Sequence, residues 1–186
     1  MKLQSNMLLK NLIKNCPINL GIIKVKGLSS DTRTLKKGDL FFAIKGIKYD
    51  GNKYIEEAFK KGACAVICSR NKKNSRIIVK KNILKSLTFA CKTYYKKKPR
   101  NIIAVTGTNG KSSVADFFHQ LLTLNKIPVA SIGTLGVKIK KFKTLNLTSP
   151  DIITLHKTLE KIKKLKIENV IIEASSHGLV QKRLDG

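Results

Sequence analysis

The sequence lacks several features that mark common classes of protein. It has no tryptophan and only four cysteines in 186 residues, and no apolar run approaches the ~20 residues that a membrane span requires. The cysteines show no CxxC spacing and the three histidines do not cluster with them, which argues against a structural zinc site. The apolar stretch between Lys2 and Lys10 is too short and too polar for a secretion signal. We therefore expect a cytoplasmic protein with reduced cysteines and no membrane span.

Acidic residues are also scarce, with 11 Asp and Glu against 38 Lys and Arg and a formal net charge of +27. Such an excess is typical of proteins that bind nucleic acid. Here the lysines are spread along the whole chain, form no long basic tail and have few aromatic residues among them. This pattern indicates a compositional bias, so we expect no specific nucleic-acid partner. A non-catalytic nucleic-acid-binding module is the alternative, which salt-dependent retention on DNA without a nucleotide response would favour.

The first half of the chain predicts a small α/β domain. Apolar runs at residues 40–44 and 63–68 predict buried strands with a helix between them. A further strand and helix follow, and the segment Lys96-Lys97-Lys98-Pro99 ends that helix because proline cannot continue it. We therefore place a domain boundary there, which gives domains of residues 1–98 and 99–186.

A glycine-containing loop at residues 106–113 lies between an apolar strand and a helical pattern. A phosphate-binding loop requires this context, because backbone N–H groups and the helix dipole then converge on an anion. Lys111 can reach the β- and γ-phosphates, and Ser112 is placed to bind Mg²⁺. The alternative is an ordinary Gly/Asn turn, since Val105 stands where the general pattern has a glycine. The predicted ATP-binding residues are Gly107, Thr108, Asn109, Gly110, Lys111, Ser112 and Ser113.

Glu173 ends an apolar strand near the end of the chain. Strands that alternate with helices predict a parallel sheet, and ligands of such sheets bind at the carboxyl ends of the strands. The phosphate loop and Glu173 both lie at such ends, so we expect a shared site in which Ser112 and Glu173 are the metal ligands. The alternative for Glu173 is a solvated acid at the end of a strand.

Two structural expectations accompany this site. The segment Thr148-Ser149-Pro150-Asp151 predicts the start of a helix, with Ser149 as its N-cap and Pro150 in its first turn. A truncated parallel sheet is expected to leave an unpaired apolar edge near residues 170–174.

Several segments occur in the order seen in Mur ligases. They are Gly107-Thr108-Asn109-Gly110-Lys111-Ser112, Thr148-Ser149-Pro150-Asp151 and Glu173-Ala174-Ser175-Ser176-His177-Gly178-Leu179. The last segment, followed by Gln181 and Arg183, resembles the MurE type of that family. The segments Asp31-Thr32-Arg33, Gly38-Asp39-Leu40-Phe41, Gly46, Asp50-Gly51 and Gly62-Ala63 are similar to its UDP-binding domain. The resemblance extends over nearly the whole chain from about Ser29 onward.

The resemblance implies an α/β fold, with a small N-terminal UDP-substrate domain followed by a truncated P-loop domain with a parallel sheet. It implies an ATP-dependent ligase of peptidoglycan precursor synthesis, with Mg²⁺ as cofactor, that is monomeric at full length. Its substrates would be UDP-N-acetylmuramoyl-L-alanyl-D-glutamate and either meso-diaminopimelate or L-lysine. ATP would phosphorylate the D-glutamate carboxylate, and the incoming amine would attack the resulting acyl phosphate.

The resemblance also implies roles for individual residues. Lys111, Glu173 and His177 would be catalytic. The uridine nucleotide would be contacted by Ser30, Thr32, Ile47, Lys48 and Tyr49. The muramoyl-peptide portion would be contacted by Asn146, Thr148, Ser149, Ser175, Gln181 and Arg183.

The chain also departs from the family. It stops before the family's carboxylated lysine, the rest of its ATPase sheet and its C-terminal domain, so we expect a fragment that is not competent alone. The runner-up is another branch, such as the D-alanyl-D-alanine-adding or folylpolyglutamate type, against which the Ser-Ser-His-Gly-Leu-x-Gln-x-Arg pattern argues.

Overall fold

The structure is a computed structural model that describes residues 6–46, 49–70, 74–133, 136–139, 142–144 and 151–175. The chain forms two compact units, Met1–Tyr94 and Tyr95–Gly186. Nowhere in the described ranges does a helix have the length and apolar character needed to cross a membrane. We expect a boundary after residue 98 between two domains that fold independently, and this stays a prediction.

The first unit is built on a parallel sheet of four strands. In chain order its elements are β1 (Met7–Leu8), α1 (Leu9–Leu12), β2 (Lys24–Val25), β3 (Gly27–Ser29), β4 (Asp39–Phe42), α2 (Ile55–Lys60), β5 (Ala65–Cys68), β6 (Ile77–Val79) and α3 (Ile83–Tyr94), with 3₁₀ turns at Ile18–Leu20 and Gly51–Tyr54. Strands β3, β4, β5 and β6 pair in that order, and β1 pairs antiparallel with β2. The predicted α/β character of this half is therefore confirmed.

The core of the first unit explains why its central strands are continuous apolar runs. Every residue of β4 and β5 is buried, as expected for parallel strands covered on both faces. Phe41 and Val66 pack with Ile55 and Ala58 of α2. Gly62 follows α2 with a φ of +89°, a left-handed conformation that ends the helix and that glycine adopts without strain.

The second unit contains a mixed sheet. Its elements are β7 (Asn101–Val105), α4 (Lys111–Leu124), β8 (Val129–Gly133), β9 (Gly136–Ile139), β10 (Phe142–Thr144), α5 (Ile152–Lys164) and β11 (Asn169–Glu173). The strand order is β10-β9-β8-β11-β7, in which β7, β11 and β8 are parallel while β9 and β10 are antiparallel. The parallel arrangement predicted from the sequence holds for three strands. Strands β8 and β9 are antiparallel because only two residues connect them.

The expected position of the open sheet edge is wrong. Strand β11 lies between β8 and β7, and its residues Val170, Ile171 and Ile172 are buried. The crossover through α5 inserts β11 into the middle of the sheet, where Val170 and Ile172 pack on Leu159 of α5. Among the described strands none pairs with the outer side of β7, so β7 forms that edge of the sheet.

The expected N-cap of α5 is also wrong. The helix begins at Ile152, and its N-cap is Asp151 instead of Ser149. The Asp151 carboxylate accepts hydrogen bonds from the backbone N–H of Ile153 at 2.9 Å and of Thr154 at 3.2 Å. A carboxylate satisfies two N–H groups at once and carries a charge that the helix dipole favours, which explains why the helix begins here.

Candidate nucleotide-binding site

The predicted phosphate loop connects β7 to α4, and residues 106–110 are exposed. Gly107 has a φ of +147°, and Gly110 is the N-cap of α4 with a φ of +78°. These left-handed values favour glycine, which explains the two glycines of the loop. The loop therefore presents the start of a 14-residue helix to solvent, where backbone N–H groups and the helix dipole favour an anion.

Lys111, the first residue of α4, folds back over the loop. Its ammonium donates hydrogen bonds to the carbonyl oxygens of Gly107 at 2.6 Å and of Thr108 at 3.2 Å. The side chain thereby holds a positive charge directly above the loop backbone.

Ser112 and Glu173 meet across the carboxyl edge of the sheet. The Ser112 hydroxyl donates a hydrogen bond to Glu173 Oε2 at 2.7 Å. The register between β7 and β11 aligns Val105 with Glu173, so the loop that follows β7 starts at the level of the carboxylate. The structure thus brings together the two residues predicted to bind the metal.

Gly133, at the end of β8, completes the surroundings of Glu173. A Cβ atom built on Gly133 would lie 2.0 Å from Glu173 Oε1 and 2.4 Å from the carboxyl carbon. The carboxylate therefore occupies the space that any other residue at position 133 would fill. The sequence did not indicate a role for Gly133, because this role depends on β8 lying beside β11 in the sheet.

A second polar cluster lies further along α4. Asp116 accepts a hydrogen bond from Lys138 of β9 at 2.5 Å, and this contact lowers the pKa of the Asp116 carboxyl. His119 is 4% exposed, and its Nε2 atom has no hydrogen-bond partner among the residues that the structure describes. Burial lowers the pKa of the His119 imidazole, and the charge of Lys138 acts in the same direction.

Two of the predicted uridine-binding residues, Ser30 and Thr32, lie on the loop after β3. Asp31 accepts a hydrogen bond from Arg33 Nη2 at 2.6 Å, and the hydrogen bonds from Arg33 lower the pKa of the Asp31 carboxyl. Lys61 donates a hydrogen bond from its ammonium to the Thr32 carbonyl at 3.0 Å. Thr32 is buried and Ser30 is half-buried, so this turn is held to α2 and the end of the sheet.

The loop after β4 ends at the same edge of the sheet, because β3 and β4 are parallel neighbours. A Cβ atom on Gly51 would lie 2.6 Å from the Ile44 carbonyl oxygen, so only glycine allows the two arms of this loop to approach. Tyr49 is exposed, and its phenol contributes, after the dominant effect of Asp31, to the raised pKa of Arg33. The turn after β3 and Tyr49 thus belong to two loops that start at the same edge of the sheet.

Of the remaining predicted site residues, one is described by the structure and the others are not. Ser175 is half-buried, two residues beyond the end of β11. Outside the described residues lie Ile47, Lys48, Asn146, Thr148, Ser149, His177, Gln181 and Arg183.

Comparison with protein families places this chain in a known class. The Mur ligase family catalytic domain matches residues 24–109, and the Mur ligase middle domain matches residues 105–186. The chain therefore belongs to the Mur ligase family.

Individual relatives within this family share one name. The chain is 46% identical over 169 residues to the UDP-N-acetylmuramoyl-L-alanyl-D-glutamate--2,6-diaminopimelate ligase of Rickettsia montanensis, a match that covers 87% of this chain and 35% of that protein. It is 37% identical over 175 residues to the ligase of the same name from Brucella melitensis, covering 91% of this chain and 36% of that protein.

A solved structure of a ligase with the same name superposes with a TM-score of 0.84 at 27% identity. The superposed region covers 98% of this chain and 38% of the chain in that structure, so the predicted fold class is confirmed. The chain spans about a third of the length of the relatives that it matches.

Proposed function

We propose that this chain is the nucleotide-binding and UDP-substrate-binding part of a ligase of peptidoglycan precursor synthesis. The ligase would use ATP to join an amino acid to UDP-N-acetylmuramoyl-L-alanyl-D-glutamate. The names of the relatives favour meso-diaminopimelate over L-lysine as that amino acid. The observation that carries the proposal is the contact between Ser112 and Glu173 beside a loop of left-handed glycines.

The phosphates of ATP would bind at the start of α4. Within the described part of the chain no side chain caps α4, so its first backbone N–H groups can donate hydrogen bonds to phosphate oxygens. Lys111 would exchange its contacts with the loop carbonyls for contacts with phosphate oxygens, which carry a full negative charge. The loop would thus hold the transferring phosphoryl group by positioning and charge, which are the main sources of catalysis in such reactions.

Ser112 and Glu173 are the residues that would hold a divalent cation. Mg²⁺ binds through one or two protein oxygens together with phosphate oxygens, instead of within a cage of protein ligands. Consistent with this mode, the described residues contain no group of three or more His, Cys, Asp and Glu that could hold a metal. The Ser112 and Glu173 oxygens, 2.7 Å apart, can share one cation that neutralises charge on the phosphates when bound.

The UDP portion of the second substrate would bind at the carboxyl edge of the first unit. Ser30, Thr32 and Tyr49 lie there on two neighbouring loops. Hydroxyl and backbone groups held in place by Lys61 can discriminate a uracil ring by hydrogen bonds, which a diffuse positive charge cannot do. We expect binding by this chain and amide formation only together with the rest of a ligase, because closure around the site protects an acyl phosphate from water.

The proposal is tested by titrating the chain with ATP in the presence of Mg²⁺ and measuring heats of binding. Lys111→Ala should abolish the binding, because it removes the charge that faces the β- and γ-phosphates. Lys157→Ala is the matched control, since Lys157 is an exposed residue of α5 and the change in net charge is the same. Equal affinity of the Lys111 variant and the parent chain would overturn the proposal.

A further inference from the structure

Asn52 is a buried polar residue beside the loop that carries Tyr49. It lies in the 3₁₀ turn Gly51–Tyr54 and is 5% exposed. Its Nδ2 atom donates a hydrogen bond to Asp50 Oδ1 at 2.6 Å and another to Ser69 Oγ at 3.3 Å. The Ser69 hydroxyl in turn donates to Asn52 Oδ1 at 3.5 Å. Both polar atoms of the amide therefore have partners, as is the rule for buried polar groups.

These contacts connect two loops at the carboxyl edge of the sheet in the first unit. Asp50 belongs to the loop after β4, and Ser69 is the residue that follows β5. Strands β4 and β5 are parallel neighbours, so both loops begin at the same edge. Asn52 therefore links the loop that carries Tyr49 to the adjacent end of the sheet.

The loop that carries Tyr49 is also held by contacts of its own. Lys45 and Asp50 form an antiparallel bridge, and the Gly46 N–H donates a hydrogen bond to the Tyr49 carbonyl at 2.8 Å. The hydrogen bonds from Asn52 lower the pKa of the Asp50 carboxyl, which is therefore ionised and a strong acceptor at neutral pH. The bridge fixes the shape of the loop, whereas Asn52 fixes the loop relative to the sheet.

The polar nature of Asn52 favours a role in geometry over a role in stability. An amide must be removed from water when it is buried, and its hydrogen bonds add little net stability because they replace bonds to water. The amide supplies direction instead, since one orientation of its Nδ2 atom satisfies both Asp50 and Ser69.

Tyr49 is 72% exposed, which leaves its aromatic ring available to a ligand. Aromatic rings stack on nucleobases, and the strength of stacking depends on where the ring is held. We infer that Asn52 is a positioning residue that holds Tyr49 where its ring stacks on the uracil of the UDP-substrate. The inference rests on the proposed function, in which Tyr49 contacts the uridine nucleotide. Asn52 itself would not touch the substrate, because its amide is buried against Asp50 and Ser69.

The test is a double-mutant cycle on the full chain, with UDP as the ligand and calorimetry as the measurement. Tyr49→Ala should raise the dissociation constant of UDP about tenfold, because it removes the stacking ring. Asn52→Ala should raise it about fivefold in the parent chain. In the Tyr49→Ala background the same change should have no further effect, because Asn52 acts through the ring. A residue that merely stabilised the fold would weaken binding equally in both backgrounds.

Two further variants complete the design. Ser69→Ala cuts the link at an exposed residue and leaves the Asn52 side chain in place, so it should also weaken UDP binding in the parent but not in the Tyr49→Ala background. Asn74→Ala is the matched control and should bind UDP like the parent. Asn74 is an exposed asparagine that accepts a hydrogen bond from the Arg76 N–H at 2.9 Å, just before β6 and so at the opposite edge of the sheet.

The inference is overturned if Asn52→Ala binds UDP like the parent, if Tyr49→Ala leaves UDP binding unchanged, or if the effect of Asn52→Ala is equally large in both backgrounds. These outcomes are separable from a failure of the proposed function. A parent chain that does not bind UDP removes the proposed uridine site and the inference with it. A parent chain that binds UDP and is insensitive to Asn52→Ala removes the inference alone.

Discussion

Gly133 provides the space that the Glu173 carboxylate occupies, since a Cβ atom at position 133 would lie 2.0 Å from Glu173 Oε1. Gly133→Ala must therefore displace the carboxylate and break its contact with Ser112 at 2.7 Å. We expect the variant to need about tenfold more Mg²⁺ for half-maximal ATP binding, the effect typical of losing support around a metal ligand. Titration of Mg²⁺ at fixed ATP measures this.

Gly46→Ala serves as the control for Gly133→Ala. A Cβ atom at Gly46 would meet only the Tyr49 carbonyl oxygen at 3.5 Å, an ordinary contact. If both variants show the Mg²⁺ dependence of the parent chain, Glu173 is not held by Gly133.

The buried His119 predicts a loss of stability in acid. Its pKa lies below the ordinary value of 6.5 because burial penalises the charged imidazolium. The unfolded chain therefore binds a proton more readily than the folded chain, and the free energy of unfolding falls as the pH drops below 6.5. The loss ends once the pH is below the lowered pKa of the folded state.

Urea unfolding between about pH 7.5 and pH 5 measures this dependence. His119→Gln should flatten it, because glutamine does not titrate in this range. An unchanged pH dependence in the variant would assign the effect to other groups.

The N-cap of α5 predicts a local contribution to stability. Asp151→Ala removes the acceptor of two backbone N–H groups, and we expect it to lower the free energy of unfolding by about 1 kcal/mol. Asp151→Asn keeps an oxygen acceptor and should retain most of the stability. Urea unfolding followed by circular dichroism compares the three proteins, and an alanine variant as stable as the parent would contradict this role of Asp151.

We predict that the first unit prefers UDP to ADP. Near physiological salt, we expect UDP to bind the full chain more tightly than ADP in the first unit, and Thr32→Val to reduce this preference. Thr34→Val is the control, because Thr34 is an exposed residue of the same loop. NMR chemical shifts on the full chain report each unit separately. Equal binding of UDP and ADP that weakens steeply with salt would indicate only a generic cationic surface.

Local sequence signals account for the elements around the site. The apolar run before residue 106 and the run that ends at Glu173 are strands, and glycines 107 and 110 have the positive φ angles that a tight loop requires. These features depend on a few adjacent residues, so the sequence is sufficient to find them. The order of these segments along the chain then carried the resemblance to the Mur ligase family.

Long-range pairing is where the sequence was insufficient. The position of β11 between β7 and β8, the antiparallel strands β9 and β10, and the role of Gly133 all depend on which strands are neighbours. The helical spacing of Phe117 and Leu121 correctly predicted a helix, but spacing cannot tell whether a partner covers the apolar face. The N-cap of α5 was misplaced because Ser149 and Asp151 are both favourable N-cap residues.

The two hydrogen bonds from the Lys111 ammonium to the loop carbonyls tie the first residue of α4 to the loop that precedes it. They brace the turn from within the chain. A loop that is braced in this way has less conformational freedom to lose when a ligand binds, so less of the binding free energy is spent on ordering it. Removing Lys111 should therefore loosen the turn even in the absence of nucleotide, and hydrogen exchange at residues 107–110 would register that change before any ligand is added.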